Sequence, residues 1–465
     1  MTRALSSTYQ PFTLISSASL GIFRVLFGGV MCFSLLRFIL SGWVEELWIR
    51  PDFFFKYAGA TWMPVWEPTG LYLHVSLTLL GAVGVMLGLY FRYALFMFVI
   101  GFTGLQLMDQ VNYLNHYYLV ICLTIPLALS PAGCVFSLDC WWRKVPIQSK
   151  IARWSVDLIR FQVALVYIFA AIAKVGEDWL MYGQPLSIWL SARGDLPLIG
   201  FILTKPLTAI LMSWTGFLYD LLIVPALLWR KSRRFAYILV IGFHSMTWLL
   251  FDIGIFPILM TLATPIFFAP SWPLRILSLF KLGLNDAQKA SQSTDLKLAF
   301  STSTKMFLAL WCSFHILFPL RGFVLDENVL WSERGMRYSW RVMVREKMGS
   351  LTYRVKSTES GRQWEVNPKV YLTARQLSEI SGQPDMIIQL SHWVKQRFEA
   401  RLGKPVEVFA DVWVSLNGRP PQRLLNPNVD LTRVTANDPQ VVLPPPITPP
   451  LSPWGKMSLS KEYNR

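Results

Sequence analysis

Over its first two thirds the chain alternates long apolar runs with short polar breaks, and near Leu320 the pattern changes. About nine runs read as candidate membrane spans. They lie at roughly Ser19–Leu40, Leu71–Tyr90, Ala94–Met108, His116–Leu129, Val156–Val175, Leu207–Trp229, Phe235–Leu250, Gly254–Phe268 and Met306–Leu320. Several fall short of the roughly 20 residues that a lone span needs, which bundled helices tolerate when polar residues line an interior cavity. Beyond Leu320 the sequence reads as a folded polar domain. Met336–Arg345 and Leu351–Lys356 are strand-like with a turn at Lys347–Ser350, Gln363–Val366 extends the sheet, and Thr373–Ile380 and Asp385–Arg401 are helical. Val406–Ser415 (VEVFADVWVS) alternates strongly, Asn417-Gly418 is a hairpin signal, and Pro444–Pro453 is an extended proline-rich tail. The expected architecture is an α-helical polytopic membrane bundle of about nine spans over residues 1–320. A mostly β extracytoplasmic domain over residues 321–465 follows it.

Composition agrees with this reading. Hydrophobic residues make up 53% and charged residues 15%, against roughly 25% charged in a soluble domain. The net charge of +16 is distributed by topology rather than gathered for nucleic acid. With the N-terminus inside, the inner loops carry Arg143, Lys144, Lys150 and Arg153, then Arg230, Lys231, Arg233 and Arg234, then Arg275, Lys281, Lys289 and Lys297. The outer loops carry only Arg50, Lys56, Arg193 and Lys205. This orientation puts the C-terminal domain, Asn115, His116 and Lys174 on the outer side. The N-terminal residues lack the compact apolar core of a cleavable signal, so the first run is expected to remain as an anchor. None of the five cysteines falls in an outer loop or in the C-terminal domain, so no exported disulfide framework is indicated. The absence of any Asn-x-Ser/Thr site favours a bacterial inner membrane.

Candidate chemistry centres on Phe161–Tyr182. Thirteen uncharged residues precede Lys174, and Glu177, Asp178 and Trp179 follow it. Such a lysine either snorkels to the interface or lies desolvated as a base. Asn115 and His116 open another apolar run. His244 lies inside one, where it needs a partner for a structural or a catalytic purpose. Five scattered histidines and the Cys134/Cys140 pair lack metal-ligand spacing, so no metal is expected. Serine-hydrolase and nucleotide-binding motifs are absent.

Several segments together resemble the vitamin K-dependent γ-glutamyl carboxylases and their bacterial relatives with the horizontally transferred transmembrane domain. They are ASLGIFRVLFG (Ala18–Gly28), GVMLGLYFR (Gly84–Arg92), NHYYL (Asn115–Leu119), Lys174–Trp179 and FHSMTWLLFDIGIFP (Phe243–Pro257). YSWRVMV (Tyr338–Val344), FADVWVSLNGRPPQRLLNPNVDL (Phe409–Leu431) and LSPW (Leu451–Trp454) complete the set. The resemblance implies conversion of peptide glutamate to γ-carboxyglutamate with oxygen and carbon dioxide, while reduced vitamin K leaves as the epoxide. It implies Lys174 as the base acting on the hydroquinone and Asn115 with His116 as the pair holding a quinone oxygen. Tyr167, Phe256 and Met343 match positions lining the quinone pocket, and His244 joins them as a cofactor-binding candidate. Arg193, Trp340 and Arg345 fall near positions that receive the glutamyl substrate. Ala173 replaces the second lysine of animal members, and Thr247, Trp248 and Leu249 also differ from them.

Elementary chemistry agrees with this implication. The γ-hydrogen of glutamate is too weakly acidic for any side chain, whereas oxygenating a hydroquinone in a dry site supplies a strong base. A glutamate-containing peptide and membrane lipid are the expected partners; the physiological acceptor and the oligomeric state are not legible. Two alternatives share the features: a quinone-epoxidising relative with another acceptor, and a non-enzymatic quinone- or lipid-binding module.

Overall fold

The computed structural model describes residues 11–280, 302–325 and 328–454; Lys281, Lys289 and Lys297 of the orientation argument lie outside these described residues. A helix occupies each of the nine expected runs, and a further short one follows the eighth. In order they are α1 (Ala18–Leu40), α2 (Pro68–Leu87), α3 (Phe91–Met108), α4 (Asn115–Leu129) and α5 (Trp154–Ala173). Then come α6 (Pro206–Leu228), α7 (Arg233–Leu250), α8 (Phe256–Ala263), α9 (Trp272–Leu279) and α10 (Thr302–Leu320). Six of these, α1, α2, α3, α5, α6 and α10, are long and apolar enough to cross a membrane. The expected count of nine is not met. α4 has only 15 residues, and α7, which opens on Arg233 and Arg234, is too polar. α8 runs through a tight turn at Thr264–Phe267 and then bends by 95° into α9, giving up to seven spans if this pair counts as one. The bend falls where Pro270 and Pro273 interrupt backbone hydrogen bonding.

Small residues set the closest helix contacts, as expected where lipid gives no hydrophobic drive for helices to associate. A Cβ on Gly28 of α1 would lie 2.5 Å from the backbone nitrogen of Met86 in α2. A Cβ on Gly81 of α2 would lie 2.8 Å from the nitrogen of Phe98 in α3. Arg24 of α1 is fully buried, and its guanidinium donates to the carbonyls of Val85, Met86, Ala132, Val135 and Phe136. It thereby satisfies carbonyls that the end of α2 leaves without helical partners. Short strands β1 (Leu14–Ser16) and β2 (Lys150–Ala152) pair antiparallel beside the start of α5.

The C-terminal region is built on an antiparallel sheet in the order β4 (Gln363–Val366), β3 (Lys347–Ser357), β5 (Val406–Leu416), β6 (Gln422–Arg423). The strict alternation of β5 sends Val406, Val408, Ala410, Val412, Val414 and Leu416 into the core. Helix α12 (Pro384–Leu402) packs on β5, with α11 (Ala374–Ile380) ahead of it carrying a capping box between Thr373 and Gln376. The region is therefore mixed α and β rather than mostly β. A second correction concerns Met336–Arg345, which is no strand. Tyr338, Trp340 and Met343 adopt positive φ there, a conformation incompatible with a pleated ladder, and the turn expected at Lys347–Ser350 is the start of β3.

The two halves are joined by threaded segments. Phe55 and Val111, from the loops after α1 and α3, sit in the core of the C-terminal region. Gln389 exchanges two hydrogen bonds with the backbone of Lys56. Asp109 accepts from Phe55 N, Val111 N and Gln376 Nε2, and the Tyr113 hydroxyl accepts from Tyr338 N. The joint places Tyr338–Arg345 directly over the ends of α4 and α5.

Candidate active site

Helix α5 ends because Gly176, with φ near 175°, breaks the repeat just beyond Lys174, the C-cap residue. The lysine does not snorkel. Its Nζ turns inward to donate to Asp220 Oδ2 at 2.8 Å, and both side chains are only 7% exposed. A longer contact of 3.4 Å reaches the carbonyl of Ala170. The Trp179 ring stands 5.1 Å from Nζ, anchored by an indole hydrogen bond to the Ser213 carbonyl. The lysine is thus not surrounded by apolar neighbours alone, since a carboxylate from α6 meets it.

An inner cavity of about 70 Å³ adjoins this pair, lined by Tyr167, Lys174, Asp220, His244, Phe256 and Met343 among others. The Tyr167 hydroxyl and His244 Nε2 share a 2.9 Å hydrogen bond across it, and His244 Nδ1 has no partner among the described residues. A second cavity of about 600 Å³ lies against it and holds Asn115 and His116. Phe256 and Met343 line both, and the Phe256 ring stands between the two imidazoles, 6.0 Å from His116 and 5.9 Å from His244. His116 Nε2 is buried without a partner and faces Gly254, whose positive φ and missing Cβ leave it room. Asn115 Oδ1 accepts from the Tyr113 hydroxyl.

Five expected residues, Lys174, Tyr167, His244, Phe256 and Met343, therefore share one chamber, while Asn115 and His116 stand on the far side of the Phe256–Met343 wall. The expected substrate residues are less available. Trp340 is fully buried and stacks on Tyr118. Arg193 donates to the Leu250 carbonyl and pairs with Asp252. Arg345 pairs with Glu333, which also holds Lys347. Burial pushes the Glu333 carboxyl up, but Arg345 and Lys347 outweigh it and hold it below its ordinary value.

Asp220 was missed from sequence, although an acidic residue inside an apolar run (FLYDLL) signals a partner. The loop after Lys174 is also pinned by the C-terminal region. Arg419 grips Asp178 through two bonds of 2.6 and 2.7 Å, and Asn417 Nδ2 donates to the same carboxylate. The hairpin signal at Asn417-Gly418, both with positive φ, thus serves as a contact to the loop that follows Lys174.

No solved structure matches the chain. Residues 12–272 match the HTTM domain family, and residues 300–441 match the vitamin K-dependent gamma-carboxylase lumenal domain. The apolar helices and the HTTM domain fit an integral membrane protein of carboxylase type. With these two domains in tandem over most of its length, the chain belongs to the vitamin K-dependent gamma-glutamyl carboxylase family.

Proposed function

We propose that this protein is an integral membrane γ-carboxylase that converts peptide glutamate to γ-carboxyglutamate using reduced vitamin K, oxygen and carbon dioxide. The observation that carries this reading is the buried Lys174–Asp220 pair beside a mainly apolar chamber that residues of both matched segments line. The chamber and its neighbour fit a reduced naphthoquinone, because apolar and aromatic walls stand next to buried nitrogens of His116 and His244 that lack partners. In this reading Asn115 and His116 would hold a quinone oxygen, Lys174 would take the proton of the hydroquinone, and Tyr167, Phe256 and Met343 would line its pocket. When bound, the hydroquinone supplies on oxygenation the strong base that glutamate deprotonation needs, and it leaves as the epoxide.

The chain's own groups handle protons and water. Across the 2.8 Å contact the shared proton can move to Asp220 Oδ2, which leaves Lys174 Nζ as a free amine able to accept another. The Lys174 ammonium that then forms has as its counter-charge the anion that gave up the proton, while the neutral Asp220 carboxyl keeps its place beside Nζ. Trp179, Phe256 and Met343 keep bulk water from the chamber. We infer the orientation that the loop charges give when α4 and α7 also cross as bundled helices, with residues 1–320 in the membrane, a cytoplasmic N-terminus and residues 321–465 on the extracytoplasmic side of a bacterial inner membrane.

The test is epoxide formation by the purified protein in lipid, given reduced vitamin K and oxygen. Lys174→Ala and His116→Ala are both expected to lose it. Full turnover in both variants would show that the site is wrong. Quinone binding by the wild-type protein without turnover would favour a binding module, and epoxide without carboxylated peptide would favour a relative with another acceptor.

A further inference from the structure

Among the described cations that line the cavity beside Lys174, Arg341 has no counter-charge, whereas Lys174 pairs with Asp220 and Arg419 with Asp178. Arg345 and Lys347 are neutralised by Glu333, Arg337 by Asp385, Arg193 by Asp252 and Arg419 by Asp178. Arg341 is half-buried and has neither a hydrogen bond nor an ion pair with any described residue; its guanidinium rests 5.0 Å from the centre of the Phe323 ring. Burial and the neighbouring Arg321 guanidinium both disfavour its charge. A guanidinium left in this state is a ready partner for a planar anion.

Its position matters as much as its charge. Arg341 lines a cavity of about 400 Å³ whose wall also includes Lys174, Asp178 and Trp179. It lines a second cavity of about 250 Å³ with Asn115, Met343 and Arg345, in which four arginines face two glutamates. Lys174 and Trp179 in turn border both the 400 Å³ cavity and the inner chamber. An anion held by Arg341 in the larger cavity would therefore share that space with Lys174, on the side away from Tyr167 and His244.

We propose that Arg341 binds the carboxylate of an acidic peptide side chain, in the cavity that it lines together with Lys174 and Trp179. The inference rests on the carboxylase reading of the inner chamber and assigns to Arg341 the anion-binding part that sequence resemblance gave to Arg193 and Arg345. Trp340 stacks on Tyr118, and Arg193 and Arg345 already have ion-pair partners in Asp252 and Glu333.

Binding and turnover together test the assignment on the full chain in lipid nanodiscs, with a short Glu-containing peptide and its Gln counterpart as probes. Wild-type protein is expected to prefer the Glu peptide. Arg341→Gln is expected to weaken Glu-peptide binding at least ten-fold and leave Gln-peptide binding unchanged, and Arg341→Lys is expected to restore part of the loss. Arg362→Gln, which removes an exposed cation beside Trp364, is the control and should bind as wild type. In turnover the expected change for Arg341→Gln is a raised KM for peptide with a smaller effect on kcat. A wild-type protein that does not discriminate Glu from Gln overturns the inference, as does an Arg341→Gln variant that melts normally and binds the Glu peptide unchanged. If Glu-peptide binding depends on Arg341 but no carboxylation occurs, the inference stands and the carboxylase reading fails. If carboxylation occurs with an unchanged KM in Arg341→Gln, only the inference fails.

Discussion

Replacing Asp220 by leucine strands the Lys174 ammonium in a site where only 7% of its side chain meets solvent. The pair's net contribution follows from two opposed terms. At the observed 2.8 Å separation, two unit charges in an effective dielectric of about 20 attract by about 6 kcal/mol. Removing each ion from water costs several kcal/mol, so the intact pair contributes little net stability over two apolar residues of similar size. Removing one partner is different, because the desolvated charge remains and the attraction is gone, which costs about 3–5 kcal/mol. Lys174→Met and Asp220→Leu are therefore each expected to destabilise by about 3–5 kcal/mol, and the double variant by less than either alone. The assay is reversible unfolding of the four proteins in mixed micelles, read by tryptophan fluorescence. Additive losses in the double variant would refute the reasoning, because they would mean that the two side chains are not a desolvated pair.

Three further outcomes follow from the geometry. Arg419→Ala leaves Asp178 with only its bond from Asn417 and should raise amide exchange across residues 174–182 roughly ten-fold, since hydrogen bonds to charged groups contribute about 1.5–3 kcal/mol; unchanged exchange would mean that the clamp does not hold the loop after Lys174. Gly254→Ala introduces a Cβ at φ +62°, 3.5 Å from His116 Nε2; it should cost about 1–2 kcal/mol and lower epoxide formation, and an unaltered rate would separate His116 from the quinone. Glu333 is held below its ordinary value of 4.5, so the folded protein binds fewer protons than the unfolded chain as pH falls. Its contribution is full above pH 4.5 and is lost as pH drops through the depressed folded value, so Glu333→Gln should flatten the acid limb of a melting-temperature profile.

Much of the site was legible because its residues interrupt apolar runs. Lys174 at the end of α5, Asn115-His116 at the start of α4 and His244 within α7 each announce themselves as polar groups where lipid or core is expected. Span number was less legible, because hydropathy marks apolar helices without showing that α4 stops at 15 residues or that the segment after α8 turns by 95°. Asp220 lies 46 residues from Lys174, and nothing in either run alone says that α5 and α6 bring the two together. The 336–345 segment misled for a local reason: its apolar and aromatic residues have strand propensity, but Tyr338 and Trp340 dock on Tyr113 and Tyr118 and the backbone takes positive φ at Tyr338, Trp340 and Met343. That same irregular backbone puts Met343 into the chamber beside Lys174 and leaves Arg341 facing the space next to it.

The most direct measurement is fixation of labelled carbon dioxide into a Glu-containing peptide by the purified protein in lipid, with reduced vitamin K and oxygen present and epoxide followed in parallel. The account predicts label in the peptide together with epoxide, and loss of both in Lys174→Ala and in Asp220→Asn. Label fixed at the wild-type rate by a folded Lys174→Ala protein, or neither product from folded wild type, would contradict it.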